Sequence, residues 1–305
     1  MKPISTTQLA ALLLAPLAAL HAASTPPPSL QTHDSTIYRN KLIYVIGDVK
    51  QGFIHDKITT REQADNLLKG FHAMKVNGIR IPIFADGLTP NRDLYDYFVR
   101  QAISQGFRLF ANPAENNGGK RVANGVLGKK EDKGEPVIDN PVKTSNLISR
   151  IKQFSAEYKC TWIDPFNEDG KPGKIWSINQ INTICKSLKD AMNGAELVGP
   201  CTYEISAGIN VLVKTDLLKY VAIATTHNLK YEHDLWPKFI AEAGGLPVWD
   251  SEANHKNKDG KGSRLIAAIE SGVQGIVLYN SYADINPSDG SLNENAKSLQ
   301  ACFLK

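Results

Sequence analysis

Residues 161–168 read TWIDPFNE and residues 246–254 read LPVWDSEAN; in each stretch a short apolar run ends in polar residues that include a glutamate. Short apolar runs of this length are typical of strands buried on both faces of a parallel sheet. Similar runs recur along the rest of the chain. The pattern therefore predicts eight buried strands, at 42–47, 78–84, 107–111, 161–166, 196–201, 220–226, 247–251 and 274–279.

Segments with helical periodicity separate the predicted strands. The clearest lies at 60–76, where Leu67 and Phe71 share one apolar face and Thr59 and Glu62 are spaced as a capping box. The remaining helices are predicted at 91–105, 145–158, 177–192, 209–218, 235–243, 263–271 and 292–303.

Repeated strand–helix units predict an α/β fold with a parallel sheet, and eight units in one chain of this length predict a single (β/α)8 TIM barrel. The alternative is a doubly wound open sheet. That fold usually has fewer strands, and no Gly-x-Gly-x-x-Gly follows the first strand as a dinucleotide site would require. We assign the barrel to residues 37–305.

Residues 1–23 are typical of a secretory signal peptide. Lys2 supplies the positive start, 9–20 form the apolar stretch and small residues at 22–23 offer a cleavage site. The apolar stretch is too short to cross a bilayer. Residues 24–36, rich in Pro, Ser and Thr, are predicted to be an unstructured lead-in. We therefore expect an exported protein, secreted or periplasmic, with no membrane span.

The composition suits one large domain, since 42% of the 305 residues are hydrophobic and 22% are charged. A formal net charge of +4 is too small to predict nucleic-acid binding. Cys160, Cys185, Cys201 and Cys302 allow two disulfides in three pairings, or are structural thiols. No Cys-x-x-Cys occurs, so a zinc or redox site is not expected. We expect a monomer.

Chemistry in a barrel of this kind takes place at the carboxyl ends of the strands. Glu168 ends the fourth strand and Glu252 ends the seventh. In a closed barrel these two strands lie on opposite sides, so their ends can flank a bond across its mouth. Two carboxylates, one protonated and one ionised, are what hydrolysis of a glycosidic bond requires.

Asn167-Glu168 after strand four, together with Glu252 after strand seven, resembles the clan A glycoside hydrolases, which include families five, thirty and thirty-nine. The resemblance covers the chain after the lead-in. It implies that Glu168 is the acid/base, that Glu252 is the nucleophile and that Asn167 contacts the sugar hydroxyl beside the reacting carbon.

Two further segments resemble the clan pattern. Arg80 lies in GIRIP at 78–82, where many members have an arginine that hydrogen-bonds the nucleophile. His227 ends strand six, where many members have a histidine beside the catalytic subsite. Two positions differ: Asp169 replaces the proline that often follows the acid, and Tyr279 stands where many family five members have a tryptophan. The resemblance therefore leaves the family open.

Aromatic and polar residues near the strand ends are candidates for substrate contacts. Sugars present flat faces of C–H bonds, so Tyr203 and Tyr279 are predicted to be aromatic platforms. Asn112 and Asp86 follow the third and second strands and are predicted to line the cleft. No His-x-His occurs on the first strand, so neither a metal nor another cofactor is expected.

The connection at 112–143 is the longest predicted, and connections of that length are usually functional or disordered. Its charged residues predict either a solvated surface or a contact with an anionic polysaccharide; the basic ones are Lys120, Arg121, Lys129, Lys130 and Lys133.

We therefore expect a secreted, retaining, endo-acting β-glycoside hydrolase that cleaves a polysaccharide or oligosaccharide. Three alternatives stay open: a non-catalytic carbohydrate-binding barrel, a polysaccharide lyase, and a surface protein with an interaction role.

Overall fold

The computed structural model describes residues 42–127, 134–169, 172–255 and 260–303. The predicted signal peptide and lead-in lie outside the described residues. Within the described ranges, no helix is both long and apolar enough to cross a membrane.

The strands form one closed barrel in chain order, and each strand is parallel to both of its neighbours. β1 pairs with β8 from Tyr44 opposite Gly275 onward, which closes the ring. The predicted (β/α)8 TIM barrel is confirmed. The strands are β1 Tyr44–Asp48, β2 Gly78–Ile83, β3 Arg108–Pro113, β4 Trp162–Ile163, β5 Glu196–Thr202, β6 Ile223–Thr226, β7 Val248–Ala253 and β8 Gly275–Leu278.

Helices follow the strands and cover the outside of the barrel. The α-helices are α1 Lys50–Ile54, α2 Arg61–Met74, α3 Arg92–Ser104, α4 Gly118–Asn124, α5 Pro141–Glu157, α6 Ile178–Leu188, α7 Ile205–Lys214, α8 Trp236–Glu242, α9 Arg264–Ser271 and α10 Glu294–Phe303. Single 3-10 turns lie at Leu217–Lys219, His233–Leu235 and Ser281–Asp284. The sequence predicted neither α1 nor α4.

The predicted strand 161–166 was wrong over its second half. β4 ends at Ile163 because Pro165 has no N–H to donate to a neighbouring strand. In addition, the side chain of Asp164 accepts a hydrogen bond from the N–H of Phe166 (2.9 Å). The predicted helix 209–218 was also displaced, since α7 begins at Ile205.

The capping box at the start of α2 was wrong by one residue. Thr60, not Thr59, is the N-cap, and its side chain accepts the N–H of Gln63 (3.2 Å). The amide of Gln63 in turn accepts the N–H of Thr59 (2.8 Å). Gln63 therefore takes the place predicted for Glu62.

The barrel interior holds a small apolar core of its own, separate from the larger core between sheet and helices. Trp162 and Trp249 meet edge to face there, with ring centroids 4.9 Å apart. Apolar and aromatic side chains thus fill the inside of the barrel. The polar side chains of the site lie above them, at the carboxyl ends of the strands. The interior residues are Ile46, Phe110, Trp162, Val198, Ile223, Trp249 and Val277.

Gly275 makes room for the Trp249 ring, because a Cβ at this position would lie 2.4 Å from Cδ1 of the indole. We predict that Gly275→Ala lowers the free energy of unfolding by about 1–3 kcal/mol through overpacking, measured by urea denaturation. The control is Ile43→Ala, at an apolar side chain that is 58% exposed, which should change stability by less than about 0.5 kcal/mol. Equal effects of the two changes would contradict the packing argument.

Candidate active site

Three buried aspartates near the site make the same local hydrogen bond. A side-chain oxygen of each accepts the backbone N–H two residues further on, and the regular strand pairing stops at that point. The pairs are Asp48 with Lys50 (2.9 Å), Asp164 with Phe166 (2.9 Å) and Asp250 with Glu252 (3.0 Å).

Glu168 and Glu252 meet at the mouth of the barrel, as predicted from their strand ends. A carboxylate oxygen of each and a ring nitrogen of His227 all lie within 4.8 Å of one another. Glu168 has a left-handed backbone (φ 57°), and its N–H donates to the carbonyl of Cys201 (2.8 Å). Strand pairing is irregular at both Cys201 and Glu252, so the site lies where the regular barrel ends.

Glu252 lies against two nitrogen groups. Nη1 of Arg80 and Nε2 of His227 are each 3.4 Å from its Oε2. The guanidinium is fully buried, so water screens its charge little at this contact. Burial, and then the charge of Arg80, hold the pKa of His227 well below its ordinary value. His227 is therefore neutral, and its other ring nitrogen lies 3.1 Å from Oγ of Ser251.

Glu168 has the opposite environment. Burial, and then the negative charge of Glu252, raise the pKa of Glu168 to about 7, while the charges of Lys50 and Arg80 act in the other direction. Glu168 thus keeps its proton in mildly acidic solution, whereas Glu252 lies against the guanidinium of Arg80. Two glutamates separated in this way can serve as an acid and a nucleophile.

The amide of Asn167 is held by three donors at its oxygen. They are Nη2 of Arg80 (2.8 Å), Nδ2 of Asn112 (2.9 Å) and Nζ of Lys50 (3.1 Å). This set fixes which way the amide points, since only an oxygen can accept all three. Its nitrogen donates to the backbone carbonyl of Glu115. Asn112 is fully buried and supports Arg80 and Asn167, so the structure places it beneath the cleft and not on its lining.

Three residues of the site were missed in the sequence. Lys50 lies two residues beyond β1, and Cys201 and Ser251 lie on β5 and β7. The sulfur of Cys201 is 3.5 Å from Oγ of Ser251 and 3.7 Å from a ring nitrogen of His227. The sequence did contain a feature that marks Lys50. Like Glu252, it follows by two residues an aspartate at the carboxyl end of an apolar run.

A cleft of about 230 Å³ opens beside Glu168. Tyr203 forms part of its wall and is 41% exposed, so its ring is available to a ligand. Glu204, almost fully buried, pairs with the ammonium of Lys230 at the same wall. The lining residues are Asn116, Asn117, Glu168, Tyr203, Glu204, Ala207 and Lys230.

Tyr279 follows β8 directly and is half-buried. Burial, and then the charge of Glu252, raise the pKa of Tyr279 to about 12, so its hydroxyl keeps its proton in neutral solution. Asp86 is exposed, and its carboxylate accepts from Nε2 of Gln153 on α5 (3.1 Å). The structure therefore places Tyr279 near Glu252 and Glu168. Asp86 instead bonds to α5, away from these two glutamates.

The long third connection contains α4, and Asp169 ties it to the loop of the predicted acid. The buried carboxylate of Asp169 accepts the N–H groups of Gly119, Lys120 and Asn167 (2.8 Å each) and the indole N–H of Trp176 (3.1 Å). A Cβ at Gly119 would lie 3.0 Å from this carboxylate. Asp169 thus joins α4 to the loop that carries Glu168.

One observation counts against the hypothesis that the third connection binds an anionic glycan. The side chain of Arg121 is buried, and its Nε donates to the carbonyl of Asn116 (2.8 Å). Arg121 therefore faces the protein and not the cleft solvent. Lys129, Lys130 and Lys133 lie outside the described residues.

Glu168, His227 and Glu252 are the trio of potential metal ligands that the described residues bring close together. Carboxylate and imidazole groups suit several divalent ions. However, the guanidinium of Arg80 touches Glu252, and the ammonium of Lys50 lies in the same site. Their positive charge disfavours a further cation.

The four cysteines, which could have formed two disulfides, are free thiols.

No protein-family model and no curated protein matches the sequence. Solved structures match it in fold. A GH5_18 protein from Streptomyces cattleya in complex with Manβ1-4GlcNAc has a TM-score of 0.58 and 11% identity, over 85% of this chain and 80% of its own. An endo-1,4-β-mannanase from Rhizomucor miehei has a TM-score of 0.52 and 13% identity, over 85% and 95%.

A psychrophilic glycoside hydrolase family 10 endo-β-1,4-xylanase has a TM-score of 0.54 and 11% identity, over 88% of this chain and 99% of its own. At these identities the likeness shows the fold. The chain has the barrel fold of family 5 and family 10 glycoside hydrolases, which is the fold that the resemblance to clan A implied.

Asp250 is fully buried, and burial raises its pKa to about 7 from an ordinary 3.8. The folded protein therefore holds a proton there that the unfolded chain releases between about pH 4 and pH 7. Stability from this group is present below about pH 4 and is lost as the pH rises to about 7. We predict that Asp250→Asn abolishes this loss, which amounts to at most about 4 kcal/mol.

The measurement is urea denaturation of both proteins at several pH values from 4 to 7. The free energy of unfolding of the wild type should fall relative to that of the variant as the pH rises. Asp93→Asn, at an exposed position on α3, is the control and should retain the wild-type pH dependence. A constant difference between wild type and Asp250→Asn across this range would mean that Asp250 is ionised.

Proposed function

We propose that the protein is an exported, retaining, endo-acting β-glycoside hydrolase with Glu168 as acid/base and Glu252 as nucleophile. The observation that carries the proposal is the close carboxylate pair with opposite electrostatic environments. A separation of about 5 Å suits direct attack by one carboxylate and leaves no space for a water between them, which is the geometry of retaining enzymes.

In the first step one proton is transferred and the glycosidic bond is replaced by a bond between the sugar and Glu252. Protonated Glu168 donates its proton to the glycosidic oxygen while a carboxylate oxygen of Glu252 attacks the anomeric carbon. The bond from the anomeric carbon to the glycosidic oxygen breaks with its electron pair, and the leaving sugar departs as an alcohol. The product is a glycosyl ester of Glu252, and Glu168 is left ionised.

The second step reverses these roles. Ionised Glu168 removes a proton from a water molecule, whose oxygen attacks the anomeric carbon. The ester bond to Glu252 breaks, the carboxylate is regenerated and Glu168 is protonated again. Two inversions at the same carbon restore the original configuration. A pKa of about 7 suits Glu168 to both tasks, because it gives and takes a proton near neutral pH.

The neighbouring residues have supporting roles in this proposal. Arg80 pairs with Glu252, neutral His227 donates or accepts beside it, and the amide oxygen of Asn167 holds the guanidinium of Arg80 in place. Tyr279 offers a hydroxyl on the Glu252 side, and Tyr203 offers an aromatic platform on the Glu168 side. Because Glu168 protonates the leaving oxygen, we assign the cleft at Tyr203 to the leaving sugar.

Two features support a polymeric glycan as the substrate. The cleft beside Glu168 is open to solvent along the mouth of the barrel. The mannanase and xylanase of the same fold are named as endo-acting enzymes. Export is inferred from residues 1–23, and a monomer is proposed because the site is formed by one chain.

We predict that Glu168→Gln and Glu252→Gln each lower kcat/KM on a cleaved glycan at least about a hundredfold, because each removes a group that forms or breaks a bond. Cleavage is measured as reducing ends released from a panel of neutral and uronate-containing β-glycans. Glu62→Gln is the control, since this glutamate is exposed on α2. A cleaved glycan with both variants fully active would rule out the two-carboxylate mechanism.

The configuration of the product is a separate prediction. Proton NMR recorded in the first minutes of hydrolysis should show the β anomer first, with the α anomer arising later by mutarotation. Mass spectrometry of the products should give internal oligosaccharides of several lengths. An α anomer formed first would contradict the nucleophile role of Glu252. An unsaturated product that absorbs in the ultraviolet would identify a lyase, and no turnover of any glycan would favour a binding barrel.

A further inference from the structure

Lys50 is a buried cation that the mechanism above does not use. It begins α1 directly after β1, and its side chain is 1% exposed. The aspartate turn at Asp48 fixes its backbone, and its Nζ donates to Oδ1 of Asn167 (3.1 Å). The ammonium therefore reaches the centre of the site from beyond the carboxyl end of β1.

An ammonium group in this position is unfavourable unless other charges balance it. Removing the ion from water costs several kcal/mol, and the guanidinium of Arg80 is buried in the same site. Burial, and then the charge of Arg80, lower the pKa of Lys50, while Glu252, Asp48 and Glu168 raise it in that order of size. The carboxylates of the site thus stabilise the ammonium, and by reciprocity it stabilises them.

The effect of Lys50 on Glu168 has a definite sign. The carboxyl groups whose charge acts on the Lys50 ammonium are Glu252, Asp48 and Glu168. Loss of a proton gives Glu168 a negative charge, and the nearby positive charge of Lys50 favours that charged form. Without the charge of Lys50, the proton of Glu168 would be harder to remove.

We propose that Lys50 is a positioning residue for the carboxylate pair: its charge sets the range in which Glu168 can exchange a proton, and its N–H group holds the amide of Asn167. The role in turnover rests on the proposed function, whereas the effect on the carboxyl group of Glu168 does not. The ionisable groups that face Glu168 are Glu252 from β7, Arg80 from β2, Lys50 from α1, His227 after β6, Tyr279 after β8 and Asp169 from its own loop. Tyr203, Glu204 and Lys230 line the cleft beside it.

The test uses two variants that remove the charge of Lys50. Lys50→Met has an apolar side chain of similar length, and Lys50→Gln retains an N–H donor for Asn167. The control is Arg150→Met, because Arg150 on α5 is a buried cation outside the site that bonds to the carbonyl of Phe84 and to Glu157. Carbon-13 NMR of the glutamate carboxyl groups follows each titration, with the signal of Glu168 assigned from Glu168→Gln.

We expect the titration midpoint of Glu168 to move up by roughly half a pH unit or more in both Lys50 variants and to stay in place in Arg150→Met. On any cleaved glycan, the alkaline limb of kcat/KM should move with it, and kcat should fall roughly tenfold or more. A role in folding alone would lower the melting temperature without moving either quantity.

An unchanged midpoint in a folded Lys50 variant would overturn the inference. Lys50→Gln covers the case in which Lys50→Met does not fold, since it keeps a polar group against Asn167. The NMR titration needs no substrate, so it separates this inference from the proposed function. If no glycan is cleaved but the midpoint moves, the hydrolase proposal fails and the role of Lys50 stands.

Discussion

The buried guanidinium of Arg80 is the interaction on which the site depends. From β2 it donates to Asn112 on β3, to Asn167 beyond β4 and to both the carbonyl of Ser251 and the carboxylate of Glu252 on β7. One rigid, permanently charged group thus fixes the relative positions of three other strand ends. Because a buried charge without partners is strongly destabilising, the fold and the arrangement of the site are retained together.

The two glutamates have different electrostatic environments. Glu252 is in contact with the guanidinium of Arg80. Burial, and then the charge of Arg80, hold the pKa of His227 well below its ordinary value, so this imidazole is neutral. Burial, and then the charge of Glu252, raise the pKa of Glu168 toward neutral pH, while the charges of Lys50 and Arg80 oppose this rise.

The sequence predicted the barrel and the proximity of Glu168 and Glu252 because both follow from periodicity. Apolar runs mark the strands, and closure in chain order places Glu168 and Glu252 at one mouth. Contacts that depend on the path of a loop were not predictable. Asp86 and Asn112 were equivalent as residues after strands, yet one bonds to α5 and the other lies beneath the site. Lys50 was missed because a lysine at a strand end is ordinarily read as exposed.

The loop after β4 shows how residues beyond a short strand can still be held in place. β4 has two residues in the sheet, and the N–H of Glu168 donates to the carbonyl of Cys201 on β5. Side chains hold the rest of the loop: Asp164 turns the chain, Asp169 ties it to α4 and to Trp176, and the amide oxygen of Asn167 is held by its nitrogen donors. The left-handed backbone of Glu168 is then held by contacts on both sides. Preorganisation of this kind is what the proposed acid role of Glu168 requires, and here aspartates provide it where the strand does not.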